Sequence, residues 1–425
     1  MKSRLYLLLT GISACAALCL QTSTVEAVFA SVKSTGMAAT AISYPLDTFA
    51  GAYNPAGLTD VGDRFDLEAA FVVDSGTATF KNNFELNTLA NVEEANYNGM
   101  KTKIIVPVGF GLNKNWCLNE DWKISTGVIL YNRAYQKTTY KKAIPLFGQT
   151  KQGLEYLNET ISPIVGIQWC DSHTLAISAN YQLERIKVNG LENFDNPLFS
   201  SEPGFVTNKG YNYSNGWGLT VGYLGHWTNK LSIGVTYQPE TTMNRMDKYK
   251  GFLAQHGRLN IPRKIGAGIS YWVLPCVIVA FDVEQLQWSK IKSLHNPLLN
   301  NGVLEQLGTT NGPGFGFRDQ WFYRAGIEWT INDMWTLRAG YRYANTPIRK
   351  SQTAVNILTL DTVQSFITAG ATWNYNECNE ISFVGAWGFQ NTISGTNVIP
   401  PALGGGDVSI KEQKYAIGVA WGYKY

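Results

Sequence analysis

The side chains in this sequence that could most readily bind a metal or take part in catalysis are its cysteines and histidines. Two of the six cysteines lie in an apolar stretch near the amino terminus, and the other four are Cys117, Cys170, Cys276 and Cys378. None of them forms a CxxC pair, and the four histidines are scattered along the chain. A structural zinc site needs about four such ligands in close, regular spacing. We therefore expect no metal and no other cofactor.

Hydrolytic chemistry is also unsupported. A hydrolase of the outer membrane needs a serine beside a histidine. None of His173, His226, His256 and His295 lies in a strand setting that favours such a pair. We expect a protein that is not an enzyme.

Composition narrows the class of protein. The net charge of +3 is too small to indicate a nucleic-acid partner. The mean hydropathy of −0.12 argues against several membrane-spanning helices. With 13% aromatic and 45% hydrophobic residues the chain is too apolar for intrinsic disorder. A large soluble β-protein and an outer-membrane β-barrel remain.

The first residues indicate export. Lys2 and Arg4 precede an apolar stretch that ends at Leu20, and Ala27 closes a small-residue cleavage site. This pattern predicts a secretory signal peptide over residues 1–27. A cut after residue 30 and a lipid anchor on Cys15 are the alternatives.

The remaining chain has the period of β-strands. In residues 217–223, 231–237, 335–343 and 415–425, apolar or aromatic residues alternate with small, polar or charged ones. The apolar sets end in aromatics, as in the interfacial girdles of outer-membrane barrels, and the strands are long enough to cross hydrocarbon. We predict an all-β fold, a transmembrane barrel over residues 64–425.

Two kinds of connection join these strands. Short turns are expected near residues 113–121, 170–173, 228–230, 274–275, 332–333 and 376–379, and long polar loops over 76–102, 135–159, 189–213, 241–260, 289–317, 345–361 and 392–410. Six turns and seven loops imply fourteen antiparallel strands, with both barrel ends in the periplasm. Each of the four cysteines falls at or beside a short turn. We therefore expect all four to face the periplasm, where at least one could form a disulfide with another envelope protein.

Residues 28–63 lack a strand period. They contain compact turns and many small residues, which suits a hatch packed inside the barrel, since fourteen strands enclose more space than their own side chains fill. A flexible periplasmic tail is the alternative.

Several motifs resemble one family. Asn54-Pro55-Ala56-Gly57-Leu58, after a stretch rich in small residues, resembles the hatch signature of the FadL/TodX (OmpP1) family of outer-membrane transporters for long-chain fatty acids and other hydrophobic compounds. Residues 317–326 and 335–348 look like its tenth and eleventh strands, and Asp282 and 287–289 like the strand before them. The likeness covers nearly the whole mature chain, although the loops 76–102 and 189–213 and the cysteines depart from the pattern.

The resemblance implies a fourteen-stranded barrel with a hatch, located in the outer membrane. It implies passive uptake of a hydrophobic small molecule, most simply a fatty acid, with lateral release into the membrane lipid. Asn54, Pro55 and Ala56 would form the switch of the hatch, because proline restricts the residue before it to extended geometry. Pro107 cannot donate a ladder hydrogen bond and is a candidate for the opening in the wall.

The resemblance also suggests ligand-binding residues. Arg318 matches a basic position of the family's ligand pocket, and strand alternation is expected to turn it inward beside Phe322 and Arg324. Arg185 matches a second basic cluster. A salt-bridge network inside the barrel is the alternative for these cations. Loop residues such as 198, 199, 205, 252 and 253 could form an outer collecting groove.

The last strand carries Trp421, Tyr423 and Tyr425 at alternate positions, which resembles the signal that barrels present to the barrel assembly machinery. A general diffusion porin or a surface adhesin remains the alternative function for the whole chain.

Overall fold

The computed structural model of the chain describes residues 30–84, 94–98 and 108–425. The predicted signal peptide and Pro107 lie outside these ranges. Fifteen described strands form one antiparallel sheet, and its first strand pairs with its last from Arg64↔Lys424 to Lys81↔Asp407, which closes a barrel. The strands are β1 (Arg64–Lys81), β2 (Glu94–Asn98), β3 (Val108–Cys117), β4 (Trp122–Thr139), β5 (Gly153–Trp169), β6 (His173–Asn189), β7 (Asn212–His226), β8 (Leu231–Gln238), β9 (Arg263–Leu274), β10 (Val277–Gln287), β11 (Gln320–Thr330), β12 (Trp335–Ala344), β13 (Ser365–Asn374), β14 (Asn379–Gly395) and β15 (Asp407–Lys424).

The barrel has fourteen strand positions, because β2 and β3 share one. Both pair with the same side of β1, β2 with its distal part and β3 with its first part. The prediction of a closed fourteen-stranded antiparallel barrel is confirmed.

The helices of the described residues are short. Those with α-helical pairing are Val32–Gly36, Ala254–Gly257 and Lys292–His295, and the 3-10 turns are Thr48–Ala52, Pro55–Thr59, Glu192–Phe194, Asp247–Tyr249, Trp288–Lys290, Lys350–Gln352, Val355–Ile357 and Pro401–Leu403. None of the helices in these ranges is long and apolar enough to cross a membrane.

The two faces of the wall follow the alternation in the sequence. In β15, Ile417 and Val419 lie on the exposed outer face, whereas Ala416 and Ala420 are buried on the inner face. Aromatic pairs gather at two levels of the outer face. The lower level, beside the short turns, has Trp122–Trp169 and Trp335–Trp373, and the upper level has Tyr181–Trp217 and Trp387–Tyr415. These levels have the spacing and composition of interfacial girdles.

Several strands are longer than the sequence predicted. β1 continues to Lys81, β4 to Thr139 and β14 to Gly395, each well into a stretch predicted to be a loop. The prediction failed because a change to polar composition marks the end of the apolar band, not of backbone pairing. Above that band the strands still exchange hydrogen bonds, and inward-facing side chains such as Ala78 and Phe80 are buried in the apolar cluster that the loops form.

Residues 30–63, called the inner segment below, lie inside the ring of strands. Their backbone reaches opposite walls: the Val32 amide donates to Glu68 in β1 at 2.7 Å, and the Ala41 amide donates to Asp282 in β10 at 2.8 Å. Thr59 shares a 3.0 Å hydrogen bond with Thr174 in β6. Because irregular backbone cannot form ladders, these wall side chains supply the partners that it needs.

Glycines in the wall allow the inner segment to approach closely. A Cβ on Gly222 in β7 would stand 2.0 Å from Asn54 Oδ1 and 2.8 Å from Pro55 Cδ, and one on Gly234 in β8 would stand 2.0 Å from the Ile42 carbonyl oxygen. No side chain fits at either position without displacing the segment. Gly385 in β14 is different, since a Cβ there would meet nothing within 4 Å.

We therefore expect Gly222→Ala to lower the free energy of unfolding by about 2 kcal/mol through overpacking. Gly385→Ala is the matched control, a glycine-to-alanine change in another barrel strand with free space around it, and should leave stability within about 0.5 kcal/mol. Urea-induced unfolding of the chain refolded in detergent micelles measures both. Equal stability of the two variants would contradict the close packing.

Candidate functional site

The long loops fold together into an apolar cap over the barrel. The cluster is contiguous and joins residues from every long loop with described residues to the upper ends of several strands. Two buried tyrosines connect different loops through hydrogen bonds. Tyr140 donates to the Ile357 carbonyl at 2.8 Å, and Tyr249 donates to the Gly210 carbonyl at 2.5 Å. Burial raises the pKa of both hydroxyls, so they remain protonated donors at neutral pH.

An outer cavity of about 100 Å³, partly open to solvent, lies within this cap. Its walls are almost entirely aliphatic and aromatic side chains from loops far apart in sequence. They are Leu146, Phe147, Leu191, Phe194, Phe199, Phe252, Leu253, Leu298, Leu304, Leu307, Pro313, Phe315, Ala354, Val355, Leu358, Ile399, Pro400 and Leu403, with Ser293, Glu305 and Gly314. A concave, predominantly apolar surface is typical of a small-molecule site.

An inner cavity of about 80 Å³ adjoins it on the lumen side. Leu253 and Phe315 line both cavities and so form the partition between them. The other walls of the inner cavity come from β4, β5, β6 and β10 and from three loops. They are Arg133, Ala134, Gln136, Leu154, Tyr156, Ile186, Leu259, Asn260, Ile261, Pro262, Leu286, Trp288, Leu294, Phe317 and Thr359.

Among the described residues that line the inner cavity, Arg133 alone is charged. It owes its position to an irregularity of the wall. The register between β4 and β5 shifts at this point, with Asn132 opposite Glu159 and Ala134 opposite Asn158, so Arg133 is an extra residue on β4. Such bulges redirect a side chain and often occur beside functional sites.

The surroundings of Arg133 leave part of its hydrogen-bonding capacity open. Its Nη1 donates to Gln238 Oε1 at 2.7 Å, and within the described part of the chain it forms no ion pair. Glu184, the nearest acidic side chain of β6, accepts a hydrogen bond from the Tyr156 hydroxyl. A largely buried guanidinium beside an apolar cavity can bind a carboxylate through two parallel hydrogen bonds.

The predicted ligand residues lie elsewhere. The expectation that strand alternation turns Arg318 inward is wrong: β11 begins only at Gln320, and Arg318 is exposed, donating from Nε to the Thr346 carbonyl at 3.0 Å. Phe322 is buried in the apolar cap, and the Arg324 guanidinium lies 5.1 Å from its ring. Neither lines a cavity.

The alternative of an internal salt-bridge network is confirmed for several of these side chains. Arg324 pairs with Glu284 at 2.9 Å, and Arg338 pairs with Glu328 at 2.6 Å, all four buried in the lumen. Arg185 pairs with Glu155 at 3.7 Å and lines neither cavity. Buried cations whose charges are compensated in this way position the wall and are not available to a ligand.

Asn54 is the most connected side chain of the inner segment. Its Nδ2 donates to the Ile42 carbonyl at 2.8 Å and to the Tyr223 carbonyl of β7 at 2.9 Å, while its Oδ1 accepts from the Ala56 amide at 3.1 Å. Pro55 opens the 3-10 turn Pro55–Thr59. One amide therefore joins two parts of the segment and fixes them to the wall. A gating role for Asn54, Pro55 and Ala56 stays a prediction.

On the β3 side of β1, the described register runs from Arg64 to Ala69 with β3 and from Thr77 to Lys81 with β2. Residues 70–76 of β1 pair with β15 on the other side. Residues 99–107, Pro107 among them, lie outside the described ranges, so a lateral opening at Pro107 stays a prediction.

The four cysteines lie where the turns were expected. Cys117 ends β3, Cys170 and Cys276 lie between consecutive strands, and Cys378 precedes β14, all at the end of the barrel that holds the short turns. All are free thiols, three of them exposed. A disulfide to another envelope protein stays a prediction.

Trp421, Tyr423 and Tyr425 are exposed at the same end of the barrel, and the Tyr425 hydroxyl donates to the Asn113 carbonyl at 2.9 Å. Their recognition by the assembly machinery also stays a prediction.

His and Cys side chains give no metal cluster: among the described residues, no group of three or more potential ligands comes together.

Sequence reasoning found part of the cavity lining and missed the rest. Phe199, Phe252 and Leu253 line cavities, whereas Leu198 and Phe205 point outward. Arg133, Phe315 and Leu358 were missed. A single arginine between aromatic residues 131 and 135 was the available signal for Arg133, but the bulge that directs it cannot be read from alternation.

Comparison with known proteins gives a consistent result. Residues 13–425 match the family model described as outer membrane protein transport protein (OMPP1/FadL/TodX). The fold is similar to the crystal structure of the toluene transporter TodX of P. putida, at TM-score 0.64 and 14% identity over 92% of this chain and 97% of that one. It is also similar to a Pseudomonas aeruginosa FadL homologue, at TM-score 0.66 and 13% identity over 96% and 99%. Ralstonia pickettii TbuX, a toluene transporter, gives TM-score 0.59 and 13% identity over 92% and 97%. The curated proteins give no match.

Because Leu253 lies in the partition of the two cavities, we expect Leu253→Ala to weaken binding of a fluorescent apolar probe about fivefold, through lost contact area. Leu198→Ala, the same change at an exposed loop leucine that lines neither cavity, should bind the probe as the wild type does. Fluorescence titration in detergent measures both. Equal weakening by the two changes would place the probe outside the cavities.

Proposed function

The chain belongs to the OMPP1/FadL/TodX family of outer-membrane transport proteins, and we propose that it takes up long-chain fatty acids by passive transport. The observation that carries the proposal is the pair of adjoining apolar cavities, the inner of which has a buried arginine in its wall. Residues 1–27 would be removed on export, residues 28–63 would act as the hatch, and residues 64–425 would form the transmembrane barrel.

The cavities suit the physical problem of apolar uptake. A fatty acid leaves water because each buried methylene contributes about 0.8 kcal/mol. The outer cavity is open to solvent and could collect the chain, and the inner cavity lies next along the way into the lumen. Contact between the two through Leu253 and Phe315 means that a small rearrangement of these side chains would connect them.

Arg133 supports an acid as the cargo. A neutral hydrocarbon needs no cation, whereas a carboxylate can pair with the guanidinium. The solved relatives named above as toluene transporters act on such a hydrocarbon, which makes a small aromatic compound the second candidate. The strongly apolar lining of the outer cavity favours neither cargo over the other.

Release would require two events. Below the inner cavity, the inner segment fills the lumen, so its hydrogen bonds around Asn54 must rearrange before cargo can pass. Lateral release through the wall beside β1 is favoured by Ala70 and Val72, which give the inner face of that strand an apolar surface. The cargo would then enter the lipid without crossing the polar lower lumen.

A diffusion porin remains the alternative function. A porin requires a continuous aqueous passage, whereas here residues 30–63 contact β1, β6, β7 and β10 from within. An adhesin would use exposed loop surface and would need no cavity.

The head-group assignment predicts that Arg133→Met weakens binding of palmitate about tenfold and leaves binding of hexadecanol unchanged, since only the acid pairs with the guanidinium. Arg318→Met, an exposed arginine outside the cavities, is the matched control and should change neither. Isothermal titration in detergent measures both ligands. If the wild type binds palmitate and hexadecanol equally well, a neutral cargo is the better assignment.

The hatch assignment predicts that the wild type conducts almost no ions in planar bilayers. Asn54→Ala removes three hydrogen bonds and should produce frequent transient openings. Asn244→Ala removes one exposed amide contact in a loop and should stay closed. A large, steady wild-type conductance would instead indicate a porin.

A further inference from the structure

Three cations surround one tyrosine on the outer surface of the barrel. The Arg185 guanidinium lies 5.1 Å and the Lys187 ammonium 5.3 Å from the ring centre of Tyr211, and Lys248 Nζ donates to the Tyr211 carbonyl at 2.9 Å. Arg185 and Lys187 alternate with the inward-facing residues of β6, so their side chains leave the wall on its outer face. These four residues are called the basic patch below.

Positive charge exceeds negative charge in the patch. Glu155 accepts a 2.7 Å hydrogen bond from the Tyr211 hydroxyl and pairs with Lys137 at 2.7 Å. It also lies 3.7 Å from Arg185, so its single negative charge is shared between two cations. Asp247 lies beside Lys248 in sequence and is the other acid there. Within the described residues, the side chains of Lys187 and Lys248 contact Tyr211 and form no ion pair.

The patch lies at a defined depth relative to the membrane. Tyr213 and Trp217 follow on the same outer face of β7, 68% and 67% exposed, and the ring centres of Trp217 and Tyr181 lie 4.9 Å apart with the rings tilted. Two positions further, at Leu219, the face becomes aliphatic. Strand residues advance about 3.3 Å each. Arg185 pairs with Tyr213, and Tyr211 lies two positions further from Leu219, so the cations lie about 20–26 Å along the strand from the aliphatic band, beyond the aromatic level, at the end of the barrel that carries the long loops.

We propose that the basic patch binds the phosphorylated head group of a glycolipid in the outer leaflet. A phosphate presents several acceptor oxygens, which match the ammonium groups of Lys187 and Lys248, whereas the Arg185 guanidinium is partly buried beside Glu155. Long basic side chains extend their charged ends to the interface while their stems remain on apolar surface, which here is the Tyr211 ring. The neighbours of this surface in the membrane are lipids, and the aromatic level below can contact their first methylenes.

The proposal is separate from cargo binding, because none of the four residues lines either cavity. It assigns these cations to the surrounding membrane, where a bound glycolipid would fix the upper ends of β6 and β7. Lys187→Ala/Lys248→Ala removes the two unpaired cations. Lys290→Ala/Lys350→Ala removes two exposed lysines from loops on the same rim outside the patch and is matched in charge.

Native mass spectrometry of the full chain in mild detergent, titrated with diphosphoryl lipid A, tests the proposal. The wild type and the control variant should retain one lipid A, and the patch variant should bind it about tenfold more weakly. Equal retention by all three proteins would overturn the proposal. Equal retention of dephosphorylated lipid A would also overturn it, since the phosphate is the recognised group.

Two further arms of the experiment identify the source of the phosphate. Inorganic phosphate at the same phosphate concentration should not displace lipid A, and phosphatidylglycerol should bind more weakly than lipid A. Displacement by inorganic phosphate would reduce the patch to an ion site, and equal binding of phosphatidylglycerol would contradict a glycolipid. Lys187→Arg/Lys248→Arg should restore binding, which separates loss of charge from loss of fold.

Discussion

The closed ring of backbone hydrogen bonds is the constraint on which this structure depends. Hydrocarbon offers no hydrogen-bonding partner, so each strand of a spanning sheet must pair on both sides, and the first strand must meet the last. The pairing of β1 with β15 along the whole of β1 meets this requirement. Closure with fourteen strand positions also fixes the width of the lumen, and that width exceeds what wall side chains can fill.

The inner segment occupies this space in a specific way. It has no ladder of its own, so wall side chains satisfy its backbone, as Asp282 does for the amides of Ala41 and Ile42. Charged wall residues would be costly in a dry lumen, and pairs such as Arg338–Glu328 compensate them. Gly222 and Gly234 leave room for the inner segment to approach the wall closely. Wall and segment are therefore fitted to each other, and a change in one displaces the other.

Sequence reasoning recovered the features that repeat along the chain. Alternation identified the strands and their faces, and the spacing of turns and loops gave their number, because both patterns recur in every hairpin. Features that depend on one local irregularity or on distant contacts were not recoverable. Alternation placed Arg318 inside, but the strand begins two residues later. Arg133 lies on a bulge, and the partition of Leu253 and Phe315 joins loops 62 residues apart.

The lumen has two chemically different walls, and this asymmetry links the fold to transport. The inner faces of β5 and β6 carry polar side chains such as Asn158, Gln182 and Asn180, all buried. The inner faces of β1 and β13–β15 contribute to an apolar cluster that includes Val72 and Phe366. An apolar solute in the lumen would lose contact with water on the apolar wall, whereas the polar wall offers it no comparable surface.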